Sequence, residues 1–173
     1  FFQNLNQHAP KIEISLVHDF SRKVTERIVS YDIDLGFVIN PVRHPDLVLK
    51  KLGNDQIRFW KKKGHSNPPK RIFADSNLNQ MAILLGKTYA KYFSDWSLVE
   101  TASLELIRTL VSQGHGIGIL PERIANAEGF DLVAFDKALP SYADEIYLAY
   151  RREVLASRAG KELIRLAHLN LPQ

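Results

Sequence analysis

Segments with the pattern of β-strands alternate with segments that have the pattern of α-helices, and this alternation restricts the fold more than any other feature. Residues 12–17 alternate apolar and polar side chains, residues 21–29 carry the apolar stripe of a short helix, and residues 33–39 form a mostly apolar run. Strand, helix and strand in this order predict a βαβ unit with parallel strands and a right-handed crossover. The run 33–39 is typical of a strand that is buried on both faces.

The same alternation continues to the end of the chain and predicts an α/β fold throughout. Two strands, 47–52 and 56–60, are expected around the turn Gly53-Asn54-Asp55. Further strands are expected at 72–74, 96–99, 116–120, 132–135 and 146–150, with helices at 81–92, 103–113 and 121–127. Gly114 is expected to end the second of these helices as a left-handed cap. Ser157 is expected to cap a last helix with apolar positions Leu163, Ile164, Leu166 and Leu169.

The layout predicts two lobes, each a mixed sheet flanked by helices. Residues 61–70 are basic, rich in turn formers and nearly free of apolar side chains, which is typical of a linker. Pro140-Ser141 indicates a second crossing between the lobes. The first lobe is therefore predicted at 1–60 and 141–173, and the second at 61–140. Ligands of such sheets bind at the carboxyl ends of strands, so a cleft between the lobes is the expected site.

Composition excludes several classes of protein. The 173 residues contain no cysteine, which excludes a disulfide scaffold and a thiolate zinc site, and suits a reducing cytoplasm. No apolar run reaches the roughly 20 residues of a membrane span. The six histidines lack metal-motif spacing, so no metal site is predicted. Phe1, Phe2 and Leu5 have the spacing of the last turns of a helix whose start is absent, so we interpret the chain as a fragment.

Catalytic patterns are weak along the whole sequence. His18 and Asp19 follow a predicted strand, but a turn with its own hydrogen bonds explains them better than a catalytic pair. Asp32 and Asp34 share a face, and Asp34 is best explained as the end of a turn. The glycines at 114–118 follow a helix and precede Pro121, so they predict a cap and a tightly packed strand and no dinucleotide site. We therefore expect no enzymatic activity and no cofactor.

One basic cluster, Lys61-Lys62-Lys63 with Lys70-Arg71, could contact nucleic acid. The net charge of +4 is too small to support this contact by itself. Few aromatic side chains interleave with these charges, and a solvated hinge or loop is the favoured interpretation.

Polar residues at strand-to-helix junctions are the main candidates for a binding site. Ser21 follows the first predicted strand, Ser76 and Asn77 follow the strand at 72–74, and the segment Thr101-Ala102-Ser103 follows the strand at 96–99. Side chains at such positions usually cap helices, which is the simpler explanation for each one alone. Helix N-termini also carry free N–H donors and partial positive charge. Together, these junctions can hold a carboxylate or phosphate without a catalytic residue.

Three stretches resemble the LysR-type transcriptional regulators. Residues 21–38 resemble that family's Ser-helix-Asp-Leu-Gly segment, and Ile146-Tyr147-Leu148-Ala149-Tyr150-Arg151 resembles its return strand. The segment from Thr101 to Pro121 resembles a third family signature, and its end, Gly114-His115-Gly116-Ile117-Gly118-Ile119-Leu120-Pro121, is the most specific stretch. The resemblance implies the C-terminal effector-binding domain, with a two-lobed fold similar to type 2 periplasmic binding proteins. By the same resemblance, the effector cleft is lined by Ser21, Asn40, Pro41, Ser76, Asn77, Thr101, Ala102 and Ser103.

The resemblance also implies partners. A small anionic effector would bind between the lobes, and a homodimer or homotetramer in the cytoplasm would transmit the signal to DNA-binding heads. The helix-turn-helix head and the first strand of the domain are expected to precede Phe1, so DNA contact is expected only through that missing head. The alternative is a solute-binding protein of a transport system with the same fold, which would be a monomer with an export signal.

Overall fold

The computed structural model describes residues 2–168, apart from the side chains of residues 2, 3 and 168. The helices are α1 (Phe2–His8), α2 (Ser21–Val29), α3 (Asn79–Tyr92), α4 (Leu104–Ser112), α5 (Glu122–Ala125) and α6 (Arg158–His168), with a short 3-10 helix at Arg152–Ala156. The strands are β1 (Leu35–Ile39), β2 (Leu47–Lys62), β3 (Arg71–Ala74), β4 (Ser97–Glu100), β5 (Ile117–Pro121), β6 (Leu132–Ala134) and β7 (Tyr142–Arg151). Among these residues, no helix is long and apolar enough to span a membrane.

The chain forms two compact units. Unit 1 comprises Phe1–Asn54 and Asp144–Gln173, and unit 2 comprises Asp55–Ala143. The chain passes between the units within β2 and again within β7, so both connections are continuous strands.

Unit 1 is built on the strand order β1-β7-β2. β1 pairs antiparallel with β7, from Leu35 opposite Tyr150 to Ile39 opposite Ile146. Because side chains alternate between the faces of a strand, β7 packs on two sides. Ala149 packs with Val38 and with Val24 and Ile28 of α2. On the other side, Leu148 and Tyr150 pack with Ile164 and Ala167 of α6.

Unit 2 has the strand order β2-β5-β3-β4, with β6 also on β2. β3 is parallel to β4 and β5, whereas β5 and β6 are antiparallel to β2. One apolar cluster joins Ile57 and Phe59 of β2 to α3 through Met81, Leu84 and Phe93. A second cluster joins Phe73 and Leu120 to α4 through Ile107 and Val111. The sheet therefore carries α3 and α4 against separate clusters.

The first predicted strand is wrong. Residues 12–17 form no strand, and Ile14, Leu16 and Val17 are exposed, Leu16 by 71%. A strand needs a partner for its backbone groups, and no strand in the described part of the chain pairs with this segment. The predicted βαβ unit therefore does not form. β1 also differs from the prediction because its neighbour β7 is antiparallel and only Val38 of the strand is fully buried.

The predicted turn at residues 53–55 is also wrong, because β2 continues without a break from Leu47 to Lys62. A hairpin would need the two halves of this segment to pair with each other. The second half pairs instead with β5 and β6, which come much later in the chain. The predicted linker also loses Lys61 and Lys62, which are the last two residues of the strand.

The glycine-rich stretch is a helix cap followed by a tightly packed strand, as predicted. Gly114 has a φ of +85° directly after α4. A Cβ atom at Gly118 would stand 2.7 Å from methyl groups of both Ile107 and Val111. Only glycine allows this close approach of α4 to β5.

The predicted cap of the last helix is confirmed. The Ser157 hydroxyl accepts a hydrogen bond of 2.9 Å from the Gly160 N–H, in the first turn of α6. Of the predicted apolar positions, Ile164 and Leu166 are buried. Leu169 lies outside the described residues.

Candidate functional site

Ser21 lies at the start of α2, but it is the first residue of the helix and does not cap it. The N-cap position is Phe20, which makes no side-chain cap hydrogen bond. The Ser21 hydroxyl instead accepts a hydrogen bond of 2.9 Å from the backbone N–H of Ile39, the last residue of β1. Ser21 therefore links the start of a helix to the carboxyl end of a strand, and its predicted capping role is wrong.

Asn40 fastens the end of β1 to β7. Its side-chain N–H donates to Asp144 Oδ1 at 2.7 Å, and its side-chain oxygen accepts from the backbone N–H of Glu145 at 2.8 Å. Its own backbone N–H donates to the carbonyl of Glu145 at 3.0 Å. The residue has a φ of +46°, a conformation that asparagine tolerates better than most residues. The side-chain amide thus holds the end of β1 against β7.

Replacing Asn40 with alanine is expected to destabilise unit 1 by about 1–3 kcal/mol, because the hydrogen bonds of its side chain to Asp144 and to the Glu145 N–H are lost and alanine disfavours the left-handed backbone. Asn40→Gly is the matched control, since it loses the same hydrogen bonds but accepts the positive φ. In chemical denaturation, the free energy of unfolding of Asn40→Gly should lie between that of the wild type and that of Asn40→Ala. Equal stability of all three proteins would show that the hydrogen bonds of Asn40 to β7 do not stabilise unit 1.

A cavity of about 290 Å³ adjoins Pro41 in unit 1. Its lining combines apolar side chains with polar ones of a type that can bind an anion. The lining residues are Pro41, Arg43, His44, Leu47, Leu49 and Tyr147. Arg43 and His44 are not among the residues predicted from the sequence. The available signal was the basic pair two residues after Pro41, which does not lie at a helix N-terminus and so was not considered.

Charge around this cavity is unevenly compensated. Asp46 approaches the His44 ring at 3.7 Å, and its backbone N–H donates to His44 Nδ1 at 3.3 Å. Within the described residues, Arg43 has no ion-pair partner. The cation that can meet an incoming anion here is therefore Arg43.

Tyr147 is fixed at the edge of the cavity by a short polar chain. Its hydroxyl donates to Glu145 at 3.0 Å, and the other Glu145 oxygen pairs with the ammonium group of Lys51. The hydrogen bond from Lys51, followed by that from Tyr147, lowers the pKa of the Glu145 carboxyl, which therefore stays ionised at neutral pH. The hydrogen bond to Glu145, followed by partial burial, raises the pKa of the Tyr147 hydroxyl. Tyr147 thus presents a neutral ring to the cavity.

In unit 2, Ser103 caps α4 as predicted. Its hydroxyl accepts from the Leu106 N–H at 3.1 Å, and its own N–H approaches the Thr101 hydroxyl at 3.4 Å. The Thr101 N–H donates to the carbonyl of Ala74 at 3.0 Å, while Ala102 is exposed. Glu105 in the first turn lies 3.4 Å from the Ser103 hydroxyl and partly offsets the attraction of this helix start for an anion.

Ser76 and Asn77 do not cap α3, contrary to the prediction. The N-cap is Leu78, without a side-chain hydrogen bond. Buried Asp75 organises the turn, because one of its oxygens accepts from both the backbone and the side-chain N–H of Asn77 at 3.0 Å. Ser76 is exposed. The Asn77 amide therefore has a structural partner already.

The predicted residues fall into two groups. Ser76, Asn77 and the segment 101–103 follow β3 and β4, which are parallel neighbours with Ala74 opposite Glu100, so they lie at one edge of the sheet of unit 2. Ser21, Asn40 and Pro41 cluster at the carboxyl end of β1 in unit 1. His18 and Asp19 lie in the irregular segment before α2, in which the Asp19 carboxylate accepts from the Phe20 N–H. The described residues contain no group of three or more side chains that could hold a metal ion.

Two α/β units joined by two strands define a ligand-binding domain of the periplasmic-binding-protein-like class. The family model that matches is the LysR substrate binding domain, over residues 1–171. The chain belongs to this family. The resemblance drawn from the sequence motifs is therefore confirmed, as is the α/β fold class.

Solved structures with the same fold are regulatory domains. The CcmR regulatory domain from Synechocystis PCC6803, in complex with 2-PG, has a TM-score of 0.71 and 17% identity, covering 99% of this chain and 91% of that one. The HypT regulatory domain from Salmonella typhimurium has a TM-score of 0.71 and 14% identity, and the match covers 96% of this chain and 86% of that one. A reduced form of OxyR from N. meningitidis has a TM-score of 0.68 and 22% identity, and the match covers 97% of this chain and 85% of that one. No curated protein sequence matches the chain significantly.

Membership of this family makes the chain the effector-sensing regulatory domain of a LysR-type regulator. The predicted function is confirmed at this level, and the transport alternative is not favoured. LysR-type regulators act on transcription, and their regulatory domains are a family without enzymatic function.

Proposed function

We propose that this domain senses a small carboxylate or phosphate that carries an apolar body, and that the cavity beside Pro41 holds it. The observation that supports the proposal is the pairing of Arg43 and His44 with Pro41, Leu47 and Leu49 in one cavity. A guanidinium can bind both oxygens of a carboxylate or phosphate at once. The apolar side chains can cover the rest of the ligand, as is typical of small-molecule sites.

The residues predicted from the sequence remain part of the proposal with altered roles. Ser21 and Asn40 position the strand end beside the cavity rather than contact the effector. Thr101, Ala102 and Ser103, together with Ser76, remain candidates for effector contact, and Asn77 is the least suited because Asp75 engages its amide. The CcmR regulatory domain in complex with 2-PG supports a small ligand for this class of domain.

The proposed mechanism requires no bond chemistry. An effector that binds one conformation more tightly shifts a pre-existing equilibrium towards it. Coupling free energies of about 1–3 kcal/mol are typical of such regulation. We propose that a homodimer or homotetramer in the cytoplasm passes this shift to DNA-binding heads, with no cofactor involved.

The test is isothermal calorimetry with four probes: acetate, benzoate, inorganic phosphate and 2-PG. We expect a probe that combines an anion with an apolar body, such as benzoate, to bind more tightly than acetate. Arg43→Gln should weaken that binding at least tenfold, because a hydrogen bond to a charged group contributes about 1.5–3 kcal/mol. Thr101→Val keeps the shape of the side chain but removes its hydroxyl. We expect it to weaken the affinity for the same probe a few-fold.

Arg22→Gln is the matched control, since Arg22 carries the same charge in unit 1 but pairs with Glu26 on the exposed face of α2. It should leave the affinity unchanged. Equal losses in both arginine variants, or unchanged affinity in Arg43→Gln, would exclude the cavity as the site. Consumption of a probe would show an enzyme and contradict the sensory role.

A further inference from the structure

Unit 2 carries a basic surface at the edge of its sheet opposite the polar strand ends. Lys62 is the last residue of β2, and Arg71 is the first residue of β3. His115 stands just before β5. Because β2 runs antiparallel to β5, and β3 parallel to it, these three positions meet at one edge. We define the basic surface as Lys62, Lys63, Lys70 and Arg71.

Packing around the loop 114–116 gathers these residues. A Cβ atom at Gly114 would stand 3.0 Å from Nδ1 of His65 and 3.6 Å from Cδ of Lys62. A Cβ atom at Gly116 would stand 2.5 Å from the carbonyl oxygen of Arg71. Two glycines are thus needed for the loop to lie against the backbone and side chains of this edge. Lys62 and Arg71 are consequently held by strands and close packing, whereas Lys63 and Lys70 lie in the exposed loop between the two strands.

The charge of the basic surface is only partly neutralised. All four of its side chains belong to exposed residues. Lys70 pairs with Asp95, whereas the backbone N–H of Lys63 donates to the backbone carbonyl of exposed Asp131, a bond that neutralises no charge. Neighbouring Lys61 lies 5.6 Å from the centre of the Phe135 ring. Among the described residues, no large exposed apolar side chain comes from 61–71 or 114–116.

We propose that the basic surface of unit 2 binds the phosphate backbone of duplex DNA. The proposal rests on the role in transcription, which brings DNA close to the domain. It adds a DNA contact of this domain to the contact that the sequence resemblance implies for a DNA-binding head. Lysine is depleted in protein–protein interfaces, and the described residues 61–71 and 114–116 offer no large exposed apolar side chain as an anchor for a protein partner. Lysine and arginine on a held edge suit phosphates, and such contacts carry no sequence preference.

The test is fluorescence anisotropy of a labelled 20-base-pair duplex of arbitrary sequence, titrated with the domain at rising NaCl. We expect Kd values of about 10⁻⁴–10⁻⁶ M near physiological salt, as for non-specific binding. The plot of log K against log salt should have a slope of about −2 to −4, since each neutralised phosphate contributes about −0.9. The double variant K62Q/K63Q should reduce the magnitude of the slope by about one to two and weaken binding at least tenfold at low salt.

The matched control is K23Q/K50Q, which removes the same charge from two exposed lysines of unit 1. It should leave the slope unchanged. Binding without salt dependence, equal losses in both double variants, or tighter binding of poly-glutamate than of DNA would overturn the proposal. Calorimetry with benzoate separates it from the proposed effector function: K62Q/K63Q should keep the benzoate affinity, and Arg43→Gln should keep the DNA slope.

Discussion

Replacing Phe93 with alanine is expected to lower the free energy of unfolding of unit 2 by about 3–5 kcal/mol. Phe93 follows α3 directly and is only 1% exposed. Its ring lies 5.3 Å from that of Phe59, 5.2 Å from that of Trp96 and 6.2 Å from that of Phe135. Aromatic pairs of this geometry contribute about 0.5–1.5 kcal/mol beyond their buried area. The neighbours come from separate elements, so they cannot collapse into the space that alanine would leave.

Urea denaturation followed by tryptophan fluorescence measures this effect, because both tryptophans of the chain, Trp60 and Trp96, belong to unit 2. Tyr92→Ala is the control. The Tyr92 ring is adjacent in sequence and 6.4 Å from the Phe93 ring, but the residue is 47% exposed. Tyr92→Ala should therefore lower the free energy of unfolding of unit 2 by no more than about 1 kcal/mol. Similar losses in the two variants would show that Phe93 is not the centre of this cluster.

Replacing Gly160 with alanine is expected to destabilise unit 1 by about 2 kcal/mol or more, as overpacking typically costs 1–3 kcal/mol. A Cβ atom there would stand 2.1 Å from the carbonyl oxygen of Val154 and 2.9 Å from the Ser157 hydroxyl. The carbonyl is part of the backbone and cannot rotate away. The helix would have to shift, which would also break the hydrogen bond from Gly160 to Ser157.

Gly86→Ala provides the opposite expectation with the same change. Gly86 also lies in a helix, α3, but a Cβ atom at this position would meet nothing within 4 Å. Gly86→Ala should raise the free energy of unfolding of unit 2 by about 0.5–1 kcal/mol, because alanine has the higher helix propensity. Calorimetric melting of both variants gives the comparison. Stabilisation by Gly160→Ala would contradict the close packing of α6 on the preceding 3-10 helix.

The fold class and family were predictable because both depend on local pattern. The apolar stripe of α2 and the stretch Gly114 to Gly118 follow from residue type and spacing alone. The capping roles of Ser103 and Ser157 were also predictable, since a hydroxyl before a helix has few other local partners. Ser21 was not, because a partner 18 residues away, the Ile39 N–H, engages its hydroxyl.

The candidate site was predicted only in part. That Asn40 and Pro41 belong to a binding site stays a prediction, and the hydrogen bonds of Asn40 to Asp144 and Glu145 join residues more than 100 positions apart. Arg43 and His44 enter the site only because Leu47, Leu49 and Tyr147 form a cavity with them. Side-chain spacing along one segment contains no information about such a cavity.

By itself, the sequence determined the α/β class, the helices and the family, since side-chain periodicity and glycine placement act within a few residues of the chain. Only the tertiary structure decided which segments become strands and which polar groups stay available. Residues 12–17 have a strand pattern but no partner, whereas β2 extends through Gly53-Asn54-Asp55 because distant strands pair with it. Backbone hydrogen bonds in a sheet depend on such distant partners, and so does the placement of the basic surface and the cavity.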